Sequence, residues 1–160
     1  MKKILSSLLL IASLSYAVDF ACIDSQKIIT QSKYVAKAQE EFRALMDKYQ
    51  KELTERQKKI EQLRKELQQG VLSESAKKKK EQEIQKLERE MRELQLEAQE
   101  NLNKKKDELE EKLFTRVQTI VSDIAKKRNL KAVVDCGTMI YYSPEVDITS
   151  EVLKELDASQ

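Results

Sequence analysis

Glycine occurs twice and proline once in 160 residues, histidine and tryptophan not at all, and aromatic residues make up only 5% of the chain. So few turn-forming residues cannot fold a long helical element back into a sizeable globule. Most apolar side chains must be buried along helix seams or between subunits. Without histidine, a Ser–His or Cys–His nucleophile has no base. No phosphate-cradling glycine loop is present, and the two cysteines, Cys22 and Cys136, lie far apart in sequence, so Walker-type nucleotide use and Cys/His zinc sites lack their residues. Neighbouring acids such as Glu110 and Glu111 point to different faces of a helix and sit in solvent. No enzyme, no cofactor and no catalytic or metal-binding residue is expected.

The chain opens with Met1, Lys2 and Lys3, an apolar run from Ile4 to Leu14, and then Ser15, Tyr16 and Ala17. A basic head, a short apolar centre and small residues before a cut describe a removable export signal over 1–17. A membrane anchor is the alternative, but the run is well short of the roughly 20 residues needed to cross a bilayer. A lipid anchor on Cys22 is disfavoured because Asp19 stands where such a signal wants Leu. Loss of Lys2 and Lys3 brings the 30 Lys and Arg down to match the 28 Asp and Glu. A neutral, exported chain lacks the basic excess of a nucleic-acid partner. Its charge, 36% of all residues and of both signs, reads as solvated helical faces.

Residues 33–128 form a charged, leucine-punctuated tract broken once, at Gln69 to Ser73. Phe42, Met46, Tyr49, Leu53, Ile60, Leu63 and Leu67 recur at gaps of four and three, with Arg56 in the one missing seam position. This is the stripe of helices packed side by side. Gly70 supplies a left-handed stop and Ser73 an N-cap for the next helix, which places a tip near 69–75 made of Gly70, Val71, Leu72 and Ser73. The second helix is expected from about Glu74 to Arg128. Its consecutive gaps of four at Leu94, Ala98 and Leu102 remove the drift of a strict heptad, so the arm should be nearly straight. At 1.5 Å per residue the two helices should measure about 55 and 80 Å.

The ends read differently. Val18 to Ile23, Leu130 to Asp135 and Met139 to Tyr142 are short β-branched or aromatic runs, the last two joined by a turn at Cys136-Gly137-Thr138. They predict three strands, the third ended by Pro144, followed by a helix from an N-cap at Thr149 through Leu156 with Val152, Leu153 and Leu156 on its apolar face. The fold class is therefore mainly α with a small β base. Residues 18–32 give the base a strand and a short helix, 33–128 form the arm, and 129–160 complete the base. Three strands leave open edges, which argues for completing the sheet with further copies of the chain.

Phe20-Ala-Cys-Ile-Asp24, Leu113-Phe-Thr-Arg-Val-Gln-Thr-Ile120, Ala132-Val-Val-Asp135 and Asp147-Ile-Thr149 followed by Val152-Leu153 resemble the Skp (OmpH) family of periplasmic chaperones. The resemblance implies a periplasmic homotrimer whose strands form a small barrel. Three helical arms would then enclose a cavity holding unfolded outer-membrane β-barrel proteins without ATP. Phe20, Ile23, Val133, Val134, Ile140 and Tyr142 would hold the trimer base. Two departures stand out: family members are often clearly basic, and the fold does not require cysteines. Neutrality weakens an expectation of lipopolysaccharide or anionic-membrane binding.

Off-seam apolar residues Leu45, Leu96, Val71 and Leu72 are the candidates for client contact. Lys77, Lys78, Lys79 and Lys80 oppose the macrodipole in the first turns of the second helix, at about 0.3–1 kcal/mol each, so helix stability does not explain them. Contact with acidic headgroups or clients is one reading and a solvated face the other. Cys22 and Cys136 allow a disulfide within the base, two buried thiols, or a bridge between subunits. A scaffolding coiled coil of the cell envelope, binding no unfolded protein, is the alternative function.

Overall fold

The computed structural model describes residues 20–158. The export signal expected over 1–17, with Val18 and Asp19 of the first expected strand, lies outside them. Strand β1 (Phe20–Ile23) leads into a short helix α1 (Ser25–Gln31), whose first turn is capped by Asp24 accepting from the Lys27 backbone N–H at 2.9 Å. Ser32 is extended and ends α1. Its hydroxyl caps α2 (Lys33–Gln68) by accepting from the Val35 N–H at 3.4 Å. Gly70 follows at φ +75°, a conformation that costs an L side chain dearly and glycine little. Ser73 then accepts from the Ala76 N–H at 3.3 Å and starts α3 (Glu74–Arg128), which runs 55 residues to a left-handed Asn129. Lys126, Lys127 and Arg128 sit in its last turn, where the macrodipole favours cations.

Helices α2 and α3 pack antiparallel along most of their common length. Near the tip Ile60, Leu63 and Ile84 are buried with Leu67, Leu87 and Met91 against them. Further down, Tyr49, Leu94 and Ala98 form a second cluster with Leu45, Leu53 and Leu102. The Tyr49 hydroxyl is satisfied inside the seam, accepting from Asn101 at 2.7 Å and lying 3.3 Å from a Glu97 carboxylate oxygen. Ion pairs tie the rims: Arg64 to Glu88 at 2.6 Å and Lys105 to Glu41 at 3.0 Å. Such exposed pairs fix register more than they stabilise.

One seam position differs from the sequence reading. Leu45, expected to face outward as a client contact, is inside the seam, and Met46, expected inside, is 45% exposed. Leu45, Tyr49 and Leu53 step by four, matching the steps of four at Leu94, Ala98 and Leu102 opposite. Both helices here follow a period above 3.5, which turns residue 46 out of the interface.

The base pairs β1 with β2 (Ala132–Asp135) in parallel, Phe20 opposite Ala132 and Ile23 opposite Asp135. The whole arm is thus the crossover between two neighbouring parallel strands. Ala21, Ile28, Ile120, Ile124, Ile148, Val152 and Leu156 form the base core, with Val152, Leu156 and Ile124 wholly buried. Helix α4 (Thr149–Ala158) closes it.

Met139 to Tyr142 is not a strand. Gly137 has no positive φ, which a two-residue hairpin turn requires, and Cys136–Thr138 instead forms a single 3-10 turn. Asp135 holds that turn by accepting from the Gly137 N–H at 2.7 Å, and Met139 donates back to the Cys136 carbonyl at 3.1 Å. The chain is thereby steered away from the edge of β2. The other edge of β1 is met at Asp147, where the Ile148 N–H donates to the Cys22 carbonyl at 3.0 Å. Pro144 opens a second 3-10 turn rather than ending a strand. Thr149 is the first helical residue and not the N-cap, because Asp147 accepts from its N–H at 2.9 Å and its hydroxyl accepts from the Asp24 N–H at 2.8 Å.

Candidate functional site

Strand alternation divides the six residues expected at the trimer base. Ile23 and Val133 point with Ala21 into the helix-covered core. Phe20 and Val134 lie on the opposite face, 44% and 40% exposed. Ile140 and Tyr141 are almost wholly exposed, whereas Tyr142 packs with Met139 and Val146 around the cysteines. Tyr141 was not anticipated; its neighbours on both sides were, and alternation gave no reason to include it.

Cys22 and Cys136 are joined in a disulfide with their Cα atoms 5.0 Å apart, both sulfurs buried, 114 positions apart in sequence. Around them the two chain ends are sewn together by carboxylates. Asp135 accepts from the Ser25 hydroxyl and from the Gly137 N–H, and these hold its carboxyl below the ordinary range. Asp24 is lowered by the Lys27 N–H in its cap and by the Lys27 ammonium 3.2 Å away. Burial works to raise Asp157, but the Ser32 hydroxyl at 2.8 Å and the Tyr34 N–H at 3.2 Å outweigh it and the net shift is downward. No acid lies in the first turn of α2, so Asp157 supplies from α4 the negative charge that this N-terminus favours.

All three shifts are downward, so the stabilisation they bring is present above the unfolded carboxylate value of about 4 and is lost as pH falls through the lower folded values. The melting temperature should drop steadily from about pH 5 to pH 2, with Asp157→Asn lowering it at neutral pH and flattening the acid limb. Thermal melts of both proteins across that range check this. A variant as acid-sensitive as the parent would remove Asp157 from the account.

At the tip Val71 is 92% exposed and Leu72 half-buried. The lysine run splits. Lys77 pairs back to Glu74 at 2.9 Å and Lys80 crosses to Glu66 on α2, which helix-to-helix contact the sequence did not reveal; Lys78 and Lys79 are exposed. Leu96 is 68% exposed, as expected, and Phe114, which was overlooked as a surface residue, 69%. The signal was available: the two are 18 positions apart, five turns at 3.6 residues, and so share a face.

The family model described as outer membrane protein (OmpH-like) matches residues 19–156, the arm and base together. The chain belongs to the OmpH-like family. Among similar proteins, an uncharacterized protein of Aquifex aeolicus (strain VF5) is 52% identical over 157 residues, 98% of this chain and 97% of its own. The chaperone protein Skp of Salmonella typhimurium is 29% identical over 117 residues, 72% of this chain and 70% of its own. A crystal structure of a candidate outer membrane chaperone (OmpH-like) from Caulobacter crescentus superposes with a TM-score of 0.77. It covers 89% of this chain and 85% of its own at 14% identity, which shows a common OmpH-like fold. An outer-membrane chaperone role follows at the level of the family.

Proposed function

We propose that this protein is an ATP-independent holdase of the periplasm. Three copies join at their bases, and their arms enclose a space in which an unfolded outer-membrane β-barrel protein is kept from aggregating. The observation that carries the reading is the exposed apolar residues of the base, Phe20 and Val134 on the uncovered face of a sheet that has two strands among the described residues, with Ile140 and Tyr141 exposed in the segment after it. The chain's own helices cover one face of this sheet, and the uncovered face fits other copies of the chain. The arms then need no nucleotide: many weak contacts with a two-signed wall retain a client through their summed effective concentration while each releases quickly.

The deciding experiment dilutes a urea-unfolded β-barrel protein into buffer with and without the purified mature chain, nucleotide absent, and follows turbidity. Suppression at near-stoichiometric trimer is expected. Full aggregation in the presence of a trimeric, folded protein would leave a scaffolding role instead.

The tip is tested separately. Because Lys77 and Lys80 hold Glu74 and Glu66, contact with acidic clients or anionic headgroups falls to Lys78 and Lys79. Lys78→Gln with Lys79→Gln should weaken binding severalfold at low salt and reduce its salt dependence, while leaving helicity unchanged or slightly higher. Unchanged binding with an unchanged salt response returns the run to a solvated face.

A further inference from the structure

Between the middle seam cluster and the base core the arm is not closed. No residue of α2 between Val35 and Tyr49 is fully buried, and none of α3 between Ala98 and Ile120. The two flanks of this stretch differ sharply. One is charged, with Lys37, Glu41, Lys112 and Arg116 around Tyr34, and the Arg116 guanidinium 4.8 Å from that ring. The other is a groove of about 530 Å³ where Ile29 of α1, Phe42 and Met46 of α2, and Leu109 and Leu113 of α3 converge. Ile29 and Met46 are 44% and 45% exposed there.

We propose that this groove is a client subsite of the holdase, and that its occupant is an extended apolar segment of an unfolded polypeptide carrying acidic neighbours; the inference rests on the reading given above. The volume lies within the range of sites that take one or a few large side chains. The unbranched, polarisable side chain of Met46 can re-pack around different shapes, which suits a site that must accept many sequences. The lips supply the charge preference: Lys106 and Glu110 of α3 pair with each other at 3.7 Å, which leaves the guanidinium of Arg43 on α2 as the net charge at the groove. The flank across the seam is lined mainly by Lys37, Glu41, Lys112 and Arg116 and offers less apolar surface, so the apolar contact falls on the groove side.

The test uses the full mature chain with its disulfide intact and a short fluorescent peptide of alternating Phe and Ser flanked by Glu. Fluorescence anisotropy should show the double variant Ile29→Gln, Met46→Gln binding about tenfold more weakly, the loss of roughly 1.4 kcal/mol. Met46→Leu should bind as the parent does. A twin peptide flanked by Lys should bind the parent less tightly than the Glu-flanked one. Light scattering should give the same mass for parent and variant, since both altered residues are already wet. Unchanged peptide affinity in the double variant overturns the proposal. So does a fall in its mass, which would make the groove an interface between copies, and so does loss of anionic-vesicle sedimentation with peptide affinity retained, which would make it a lipid site. If the parent itself fails to suppress β-barrel aggregation, the holdase reading falls. If parent and variant suppress equally, only the subsite does.

Discussion

Replacing both cysteines, Cys22→Ala with Cys136→Ala, is expected to destabilise the base more than any other change away from its core. The bridge closes a 114-residue separation, and in the chain-entropy model a loop of that size is worth about 4–5 kcal/mol, an upper figure because denatured-state structure reduces it. The sulfurs also form the centre of a cluster that otherwise has only Val146, Met139 and Tyr142, so their loss leaves a void as well as a longer unfolded chain. A fall in melting temperature on the order of 10 °C should follow, with reduction of the parent giving a similar shift. The tip and middle clusters of the arm do not touch this region, so the near-ultraviolet signal of Tyr142 in the base should go before that of Tyr49 and before most helical signal. Two titratable thiols per denatured, unreduced chain would contradict the bridge outright.

The second large effect concerns assembly. Val134→Asp with Ile140→Asp should turn a trimer into monomers at micromolar concentration while each chain keeps its helix content. Both positions are exposed within one chain, Val134 at 40% and Ile140 at 108%, so the change costs the protomer little. In a closed three-fold assembly every interface meets the new carboxylates, and an unpaired charge in an apolar contact costs several kcal/mol. Light scattering of parent and variant decides it. A parent that is a stable monomer or dimer rejects the barrel base, and a variant that remains trimeric moves the interface elsewhere.

How much of this is legible in the sequence depends on how local the signal is. Gly70 and Ser73 mark the reversal because a left-handed residue and a side-chain cap are decided within a few positions, and the helix bounds follow from them. The choice between Leu45 and Met46 was not local. Both are apolar and adjacent, and only the facing Leu94 and Ala98 determine which turns inward. The third strand failed for a related reason. Met139 to Tyr142 has strand composition, but composition does not supply a partner, and the Asp135 side chain that bends the chain away acts through a carboxylate-to-amide contact no periodicity records. Lys80 reaching Glu66 is of the same kind. The apolar groove combines residues from three helices, Ile29, Phe42 and Leu113 among them, and depends on a seam left open, which a stripe of apolar residues in sequence would suggest to be closed.

The parallel pairing of β1 and β2 across the entire arm sets the order in which this chain acquires its structure. Phe20 and Ala132 are neighbours in the sheet yet separated by both long helices, so a direct search for that pairing bears the entropy of closing a very large loop. The tip bears almost none: Leu63 and Ile84 meet across a short reversal, and a helical turn on either side forms within about a microsecond. Zipping from the tip toward the base shortens the remaining loop with every seam layer, until β1 arrives beside β2 as the last event. The transition state should therefore be rich in contacts of the Ile60 and Ile84 region and poor in those of Val152 and Leu156. Truncations at the tip should slow refolding, while truncations in the base should mainly speed unfolding. On the proposed periplasmic reading, export would add a direction to this sequence of events. Cys22 would then emerge early and wait for Cys136, so the thiol first to meet an oxidant would be the one whose correct partner is synthesised more than a hundred residues later.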